Sequence, residues 1–595
     1  MHVFATAGHV DHGKSTLLRA LTGMEPDRWA EEQRRGMTLD LGFAWTRLPG
    51  AGDVAFVDVP GHERLVGNML AGVGPVPAVL FVVAADQGWQ PQSEEHLAVL
   101  DALGVRHGVL AVTRRDLADP AAARADALAR MAKSSLGTVA SVALSPVTGA
   151  GLDELRTVLT RVALALPAPD PAADVRLWVD RAFTARGRGT VVTGTLGAGT
   201  IREGDHLELA CGGKPLRVRG LETLKAPRPE VSAVARVAVN LHGAAAGALR
   251  RGDALLTPGR WLTTDTVDVR LNGDPAHGLP RHLTLHVGSA AVPVTVRPLG
   301  EDTVRLRLAG AVPLRIGDRA LLRDPGRHRV PAGITVLDVR PPRLTRRGAA
   351  AARAHALQAV TGPPDGAAEL RRRGLVRRTE LLAMGVRPPS EPVAGEWLAD
   401  PAHWAALSAA LRQAVETYAA GHPLEPGLPL EAARKALGLP EHRLVEALLT
   451  ADPGLSQRQG RLYGSHVRPA LPPAAEAAVT ALRADLARAP FRAPDADRLE
   501  QLGLTARLLA AAEAAGALLR VGDGIVLLPR ADEQAAAVLS RLERPFTASE
   551  ARRALDSTRR VTIPLLEHLD RRGYTTRLDG ALRRCQPAPT RQGRS

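Results

Sequence analysis

Cysteine, lysine and long apolar runs are all scarce in this chain, and each shortage closes off a class of protein. The two cysteines, Cys211 and Cys585, stand far apart in 595 residues. They offer neither a disulfide framework nor zinc-ligand spacing, and they fit a reducing compartment. The most apolar run, from Pro75 to Ala85, has about half the length that a membrane-spanning helix needs, and its β-branched content marks a buried strand instead. The first residues, Met-His-Val-Phe, enter a strand pattern at once, without the basic region, apolar stretch and small-residue cleavage site of a secretory leader. A cytoplasmic protein with no membrane partner is therefore expected. Only five of the 77 basic residues are lysines, which leaves 72 arginines. That skew reflects GC-rich coding, so no single arginine carries meaning by itself.

What is present is globular material in quantity. Hydrophobic residues at 45% and charged residues at 23% exclude wholesale disorder or a fibrous repeat, and the length corresponds to about four domains. The formal charge of +15 is unevenly placed, because residues 551–595 hold 11 Arg against 4 Asp and Glu, a net +7. That end is expected to seek polyanions.

Near the start, Gly8-His9-Val10-Asp11-His12-Gly13-Lys14-Ser15 fits G-x-x-x-x-G-K-[ST], after a strand-like Val3–Ala7 and before a helical Thr16–Leu21. Roughly 0.005 such matches are expected by chance in this composition. The glycines let backbone N–H groups converge on phosphate oxygens, so Gly8, Asp11, His12, Gly13, Lys14, Ser15 and Thr16 are the expected phosphate-binding residues. Lys14 faces the β and γ phosphates, and the Ser15 hydroxyl ligates Mg²⁺. A metal site made of His9, Asp11 and His12 is the weaker reading, since the loop already explains their spacing. Further on, a strand ends in Asp58-Val59-Pro60-Gly61-His62. There Asp58 is expected to hold Mg²⁺ through water, Gly61 N–H to meet the γ-phosphate, and His62 to orient the attacking water as the catalytic residue. Thr38, within Arg35–Asp40, supplies a second hydroxyl to the metal when the γ-phosphate orders that loop. The strand Gly108–Val112 leads into Thr113-Arg114-Arg115-Asp116. The Asp116 carboxylate can accept from the N1–H and exocyclic amine of guanine, donors that adenine lacks there. Thr113, Arg114, Asp116 and, in the next loop, Ser145 form the expected guanine site. GTP and Mg²⁺ are the implied cofactors, and GTP hydrolysis is the implied reaction.

With GHVDHGKS, RRGMTLDLGFAW, DVPGHE, the strand pair Asp180–Leu196 and RVAVNLHG at Arg236–Gly243 in view, the sequence resembles the translational GTPases, and within them the SelB type of selenocysteine-specific elongation factor. Two departures stand out. The usual Asn/Thr-Lys-x-Asp reads Thr113-Arg114-Arg115-Asp116, and Pro146 follows Ser145 where a backbone donor is usual. Arg114 can still stack on the base through its aliphatic stem. The resemblance implies that Val10 and Met37 form an apolar gate beside His62. It also implies that an aminoacyl pocket on the second domain faces the selenolate, with Asp180, Arg181 and Arg236 as candidates. The short β-branched runs between Val175 and Leu308 read as barrels, and the family implies two that clasp an aminoacyl-tRNA with the GTPase domain.

Beyond Arg343 the pattern turns helical, and hairpins at Leu455–Tyr463, Leu518–Leu528 and Tyr574–Leu582 each close a run of helices. Helices followed by a hairpin describe a winged helix. The expected architecture is a multidomain chain. An α/β P-loop GTPase domain (1–168) precedes two β-barrels (174–257 and 258–342), and winged helices follow at 343–403, 404–470, 471–530 and 531–595. Each module is expected to own a core. Net charge is only +3 over 343–550, from 26 basic and 23 acidic residues, so the first three modules read as scaffold. The fourth offers Arg559, Arg560, Arg571, Arg572, Arg577, Arg583 and Arg584 as a face for an RNA hairpin. The expected function is GTP-dependent delivery of selenocysteinyl-tRNA to the ribosome at a recoded UGA, by a monomer tethered to an mRNA hairpin (SECIS). The alternatives are a general aminoacyl-tRNA carrier and a GTP-switched nucleic-acid-binding regulator.

Overall fold

The computed structural model describes residues 1–26, 41–60, 69, 76–185, 189–210, 212–245, 247–327, 329–360, 363–464, 471, 473–542, 545–578 and 582–586. Gly61, His62, Met37 and Thr38 lie outside the described residues. The chain divides into two units, Met1–Glu391 and Pro392–Ser595.

The first unit opens with a six-stranded sheet of β1 (His2–Ala7), β2 (Gly42–Leu48), β3 (Gly52–Asp58), β4 (Ala78–Ala84), β5 (His107–Thr113) and β6 (Ala140–Ala143). Their order is β2-β3-β1-β4-β5-β6. Only the β2–β3 pair is antiparallel; the others are parallel. The parallel strands read as nearly continuous apolar runs because helices cover both faces. One face packs Val3, Ala5, Val57 and Phe81 into a core, and the other packs Phe4, Phe56, Leu80 and Leu17. In such a sheet ligands bind outside the carboxyl ends of the strands.

Residues 176–256 form an eight-stranded sheet among the described residues, while six strands from Thr263 to Asp338 close into a ring. Two barrels were expected. The second is a closed barrel. The first is an open path from Arg176–Trp178 to Arg181–Ala185, the last pair extended where Asp180 N–H donates to Thr193 O at 2.9 Å. The helix Pro91–Leu103, between β4 and β5, lies against the closed barrel at Gly333, where a Cβ would stand 2.5 Å from Ala102 O. Only glycine permits that approach.

Helices Ala349–Gln358, Gly366–Arg373 and Arg378–Ala383 follow the barrel within the first unit, so the module expected at 343–403 straddles the division between units. These helices are fastened to the barrel by buried charge. Asp268 accepts from Arg305 Nε at 2.7 Å and from Arg353 Nε at 2.7 Å, and Asp338 accepts from Arg353 at 2.5 Å and Arg373 at 2.6 Å. Burial alone would raise the Asp338 pKa, but the guanidinium groups of Arg373, Arg372 and Arg353 and the Arg340 N–H outweigh it and hold the carboxyl below its usual range.

In the second unit, Leu428–Pro429, Leu455–Arg458 and Arg461–Gly464 form a three-stranded sheet beside helices Pro401–Gly421, Leu430–Ala436 and His442–Thr450. Next come helices Pro473–Arg488, Ala496–Gln501 and Ala506–Ala514 with the hairpin Leu519–Gly522/Ile525–Leu527. The last set is helices Ala531–Leu539, Ala548–Ala554 and Arg559–Arg571 with strands Phe546–Thr547, Thr575–Arg577 and Leu582–Cys585. Thr547 caps its helix with a capping box to Glu550. Helix Arg559–Arg571 keeps Pro564 in its second turn.

The third and fourth sets do not own separate cores. One contiguous cluster runs from Ala478 and Leu482 through Val526 and Leu527 to Phe546, Leu565 and Leu569. Ser557 Oγ donates to Phe491 O at 2.5 Å, and Arg492 pairs with Asp556 at 2.8 Å. Independence of the last module fails because its helix Arg559–Arg571 is also a wall of its neighbour's core.

Candidate functional site

The fold gathers the nucleotide motifs at one edge. β1 ends at Ala7, just before Gly8, β3 at Asp58, β5 at Thr113 and β6 at Ala143, two residues before Ser145, all at carboxyl ends of parallel strands. At Gly8 (φ 125°) a Cβ would stand 2.1 Å from Val82 O, so the loop can pass only as glycine. Gly8 N–H donates to His96 Nδ1 at 3.0 Å, and Val10 N–H donates to Gln92 Oε1 at 3.0 Å. Helix Pro91–Leu103 thus supports the loop from behind. Burial pulls the His96 pKa down to about 3, so the ring is neutral and its Nδ1 can accept.

Lys14 Nζ donates to Gly8 O at 3.0 Å and His9 O at 2.8 Å. Burial pulls its pKa down to about 8, against the opposing pull of Asp58 and Asp11. The Ser15 hydroxyl donates to Asp58 Oδ2 at 2.8 Å, and Thr6 Oγ1 donates to Asp58 Oδ1 at 2.7 Å. A hydroxyl and a buried carboxylate therefore stand side by side next to the loop. Thr16 is exposed one residue further along the helix Lys14–Thr22. His12 is buried, its pKa lowered by burial to about 4 in spite of the Val82 carbonyl. Among the described residues no group of three or more His, Cys, Asp and Glu could hold a metal ion.

At the end of β5, Thr113 Oγ1 donates to His12 O at 2.8 Å. Arg114, at φ 58°, donates to Asp86 Oδ2 at 3.0 Å and also to Asp11 O, binding the loop after β5 to the Gly8–Ser15 loop. Asp116 is exposed. Ser145 is buried, its Oγ accepting from Thr148 N–H at 3.2 Å and its N–H donating to Ala150 O at 2.9 Å.

On the second domain, Asp180, Arg181 and Arg236 do converge. Arg236 donates to both oxygens of Asp180, with Nη2 to Oδ1 at 2.9 Å, and its guanidinium lies 3.9 Å from the Phe43 ring centroid. Arg181 lies over the same ring at 5.2 Å. Arg181, Arg236 and Phe43 border a cleft of about 440 Å³ shared with Trp45, Phe183 and Lys225, while Asp180 is buried behind Arg236 and does not line it.

The arginines of the last module separate into two kinds. Arg583 is turned inward, its Nε 2.9 Å from Asp570 Oδ2. Arg560 Nη2 donates to Ala493 O at 3.0 Å and Pro494 O at 2.6 Å, tying the helix start to the preceding module. Arg583 is buried, whereas Arg560 stays exposed and uses only Nη2 in these contacts. Arg559, Arg571, Arg572, Arg577 and Arg584 are exposed, although Arg572 Nε approaches Asp532 at 3.6 Å. Sequence reading missed the exposed pair Arg552 and Arg553 on helix Ala548–Ala554, and also Gln92, His96 and Asp86. Gln92 and His96 stand four apart on one helix, and that spacing could have drawn attention to them.

The family model of the elongation factor Tu GTP binding domain matches residues 1–168, and that of the elongation factor SelB winged helix matches 537–583. The chain is 39% identical over 355 residues to a selenocysteine-specific elongation factor of Escherichia coli (strain K12), covering 58% of this chain and 56% of that one. It is 30% identical over 380 residues to the translation initiation factor 2 subunit gamma of Thermococcus kodakarensis, covering 53% of this chain and 92% of that one. The fold is similar to the crystal structure of a bacterial selenocysteine-specific elongation factor, EF-Sec, with a TM-score of 0.76, 24% identity and coverage of 99% and 100%. The chain spans about half the length of the selenocysteine-specific relatives it matches.

Proposed function

We propose that this chain, which belongs to the translational GTPases, is of the SelB type and delivers selenocysteinyl-tRNA to the ribosome at recoded UGA codons while bound to an mRNA hairpin. One observation carries the reading: a single chain joins a GTP-binding domain of the elongation factor Tu type to a SelB winged helix. The domain division we assign to it is 1–168, 174–257, 258–342 and the helical modules beyond.

The Gly8–Thr16 loop cradles the β and γ phosphates, and Lys14, held among the Gly8 and His9 carbonyls, places its charge beside them. The Ser15 hydroxyl and Asp58 carboxylate are hard oxygen donors in contact, and they fit Mg²⁺, with Thr38 as a further hydroxyl. When bound, that ion would neutralise charge on the β- and γ-phosphate oxygens. Gly61 N–H meets the γ-phosphate, and His62 orients the attacking water once the Val10/Met37 gate opens. Asp116 reads guanine from its exposed position, and Arg114, Thr113 and the Ser145 loop shape the base site. Arg181 and Arg236 line the aminoacyl pocket, with Asp180 behind Arg236. The hairpin face comprises Arg552, Arg553, Arg559, Arg571, Arg572, Arg577 and Arg584.

Filter binding with selenocysteinyl-tRNA, seryl-tRNA of the same species and duplex DNA tests the reading. Preference for the first supports it. Equal binding of both tRNAs would make the chain a general carrier, and preference for DNA a regulator. His62→Ala is expected to leave GTP binding nearly intact and slow ribosome-stimulated hydrolysis by orders of magnitude.

A further inference from the structure

Two aromatic rings on β2 hold the cations that border the cleft of about 440 Å³. β2 (Gly42–Leu48) is the edge strand of the six-stranded sheet, and residues two apart on a strand share a face. Phe43 and Trp45 therefore stand together, both half-buried, against the core that holds Val57 and Phe81. The Arg236 guanidinium lies 3.9 Å from the Phe43 ring centroid and that of Arg181 lies 5.2 Å from it, while Lys225 Nζ lies 5.4 Å from the Trp45 ring.

The two arginines reach one ring from different strands. Arg181 pairs with Thr193 and Arg236 with Thr195, so strand Gly189–Leu196 runs between them. Arg236 is held by both oxygens of Asp180, and Arg181 Nη2 donates to Leu41 O. Two like charges brought this close repel. The negative face of the Phe43 π system attracts both guanidinium groups and neutralises neither, which a carboxylate in its place could not do. Among the described residues, the cleft and its back wall set Arg181, Arg236 and Lys225 against Asp180 and Glu222. A surplus positive charge is thus kept beside an apolar wall.

We infer that Phe43 is a positioning residue for the choice of cargo: its ring fixes Arg181 and Arg236 in the cleft, so that an anionic aminoacyl side chain, a selenolate, is favoured over the neutral hydroxyl of serine. The inference rests on the tRNA-delivery reading above, and it adds a residue of the GTP-binding domain to a pocket otherwise built by the second domain. A selenol is largely ionised at neutral pH and a serine hydroxyl is not, so the two cargoes differ by one charge at the same position. An arginine already stacked on a ring has less rotamer freedom to lose when the anion arrives. Leucine at position 43 would fill much of the same volume and offer no π face.

The test uses the full chain with GTP and measures dissociation constants for selenocysteinyl-tRNA and for seryl-tRNA of the same species. Phe43→Leu should lower the ratio of the two affinities by about tenfold, equal to about 1.4 kcal/mol and within the range of a desolvated cation–π contact. Phe43→Tyr, which keeps the π face, should restore the ratio. A Phe43→Leu ratio equal to that of the wild type would overturn the role of Phe43 and leave the delivery reading standing. A wild type that does not distinguish the two tRNAs would overturn the delivery reading and this inference with it. Equal losses for both tRNAs, a fall in GTP affinity, or a Phe43→Tyr variant no better than Phe43→Leu would each show that the ring acts by packing alone, and would overturn the positioning role.

Discussion

Two arginines of the last wing, Arg577 and Arg583, look equivalent in sequence and should behave oppositely. Arg583→Met removes the partner of Asp570, whose carboxylate keeps Thr575 Oγ1 at 2.5 Å. Stripping one member from a buried ion pair costs about 3–5 kcal/mol. The side chains here are 10% and 24% exposed, and the Thr575 hydroxyl remains, so about 2 kcal/mol is the better figure. At about 4 °C per kcal/mol for a body of this size, thermal melting of the third and fourth modules should move down by roughly 8 °C. Arg577→Ala removes an exposed guanidinium and should leave melting unchanged. It should instead lower the salt slope of hairpin binding by about 0.7–0.9 when titrated between about 50 and 200 mM salt. Calorimetry on both variants, with hairpin titrations alongside, reads the two effects separately. Unchanged melting of Arg583→Met together with a reduced salt slope would refute the division of the arginines into inward and outward kinds.

Asp116→Asn should shift preference from GTP to xanthosine triphosphate, because the amide then faces a 2-oxo group; competition binding checks this, and unchanged preference would remove Asp116 from the base site. The lowered pKa of Lys14, about 8, means that above that pH the free protein must take up a proton to meet the phosphates. GTP affinity should therefore be flat below pH 8 and fall by up to tenfold per unit above it, and a flat profile well into alkaline pH would show that Lys14 carries no such linkage. A chain ending at residue 391 should keep nucleotide binding and lose hairpin binding. One ending at residue 530 should also lose amide-exchange protection over 473–527, because Phe546, Leu565 and Leu569 complete that core; full protection there would show separate cores after all.

The nucleotide chemistry was legible in the sequence because each motif is a few contiguous residues whose spacing is itself the mechanism: a loop of glycines before a helix, a carboxylate at a strand end. The strand order then had only to bring the ends of β1, β3, β5 and β6 to one edge. Likewise the helices and hairpins beyond Arg343 follow from local periodicity and turns. Tertiary structure decided whatever depends on a partner distant in sequence. The Gly8 and Val10 N–H groups find acceptors on His96 and Gln92, more than eighty residues away. The helices after the barrel are fastened to it by Asp268 and Asp338, so the change to a helical pattern at 343 is not where the units divide. The last two modules merge because Val561, Leu565, Leu566 and Leu569 of helix Arg559–Arg571 pack into the same core as Leu518, Val521 and Ile525. Arginine shows the limit most plainly. Nothing in the sequence distinguishes Arg583 from Arg577, and only folding sets Asp570 opposite one and water opposite the other, since an ion pair is a property of two positions in space.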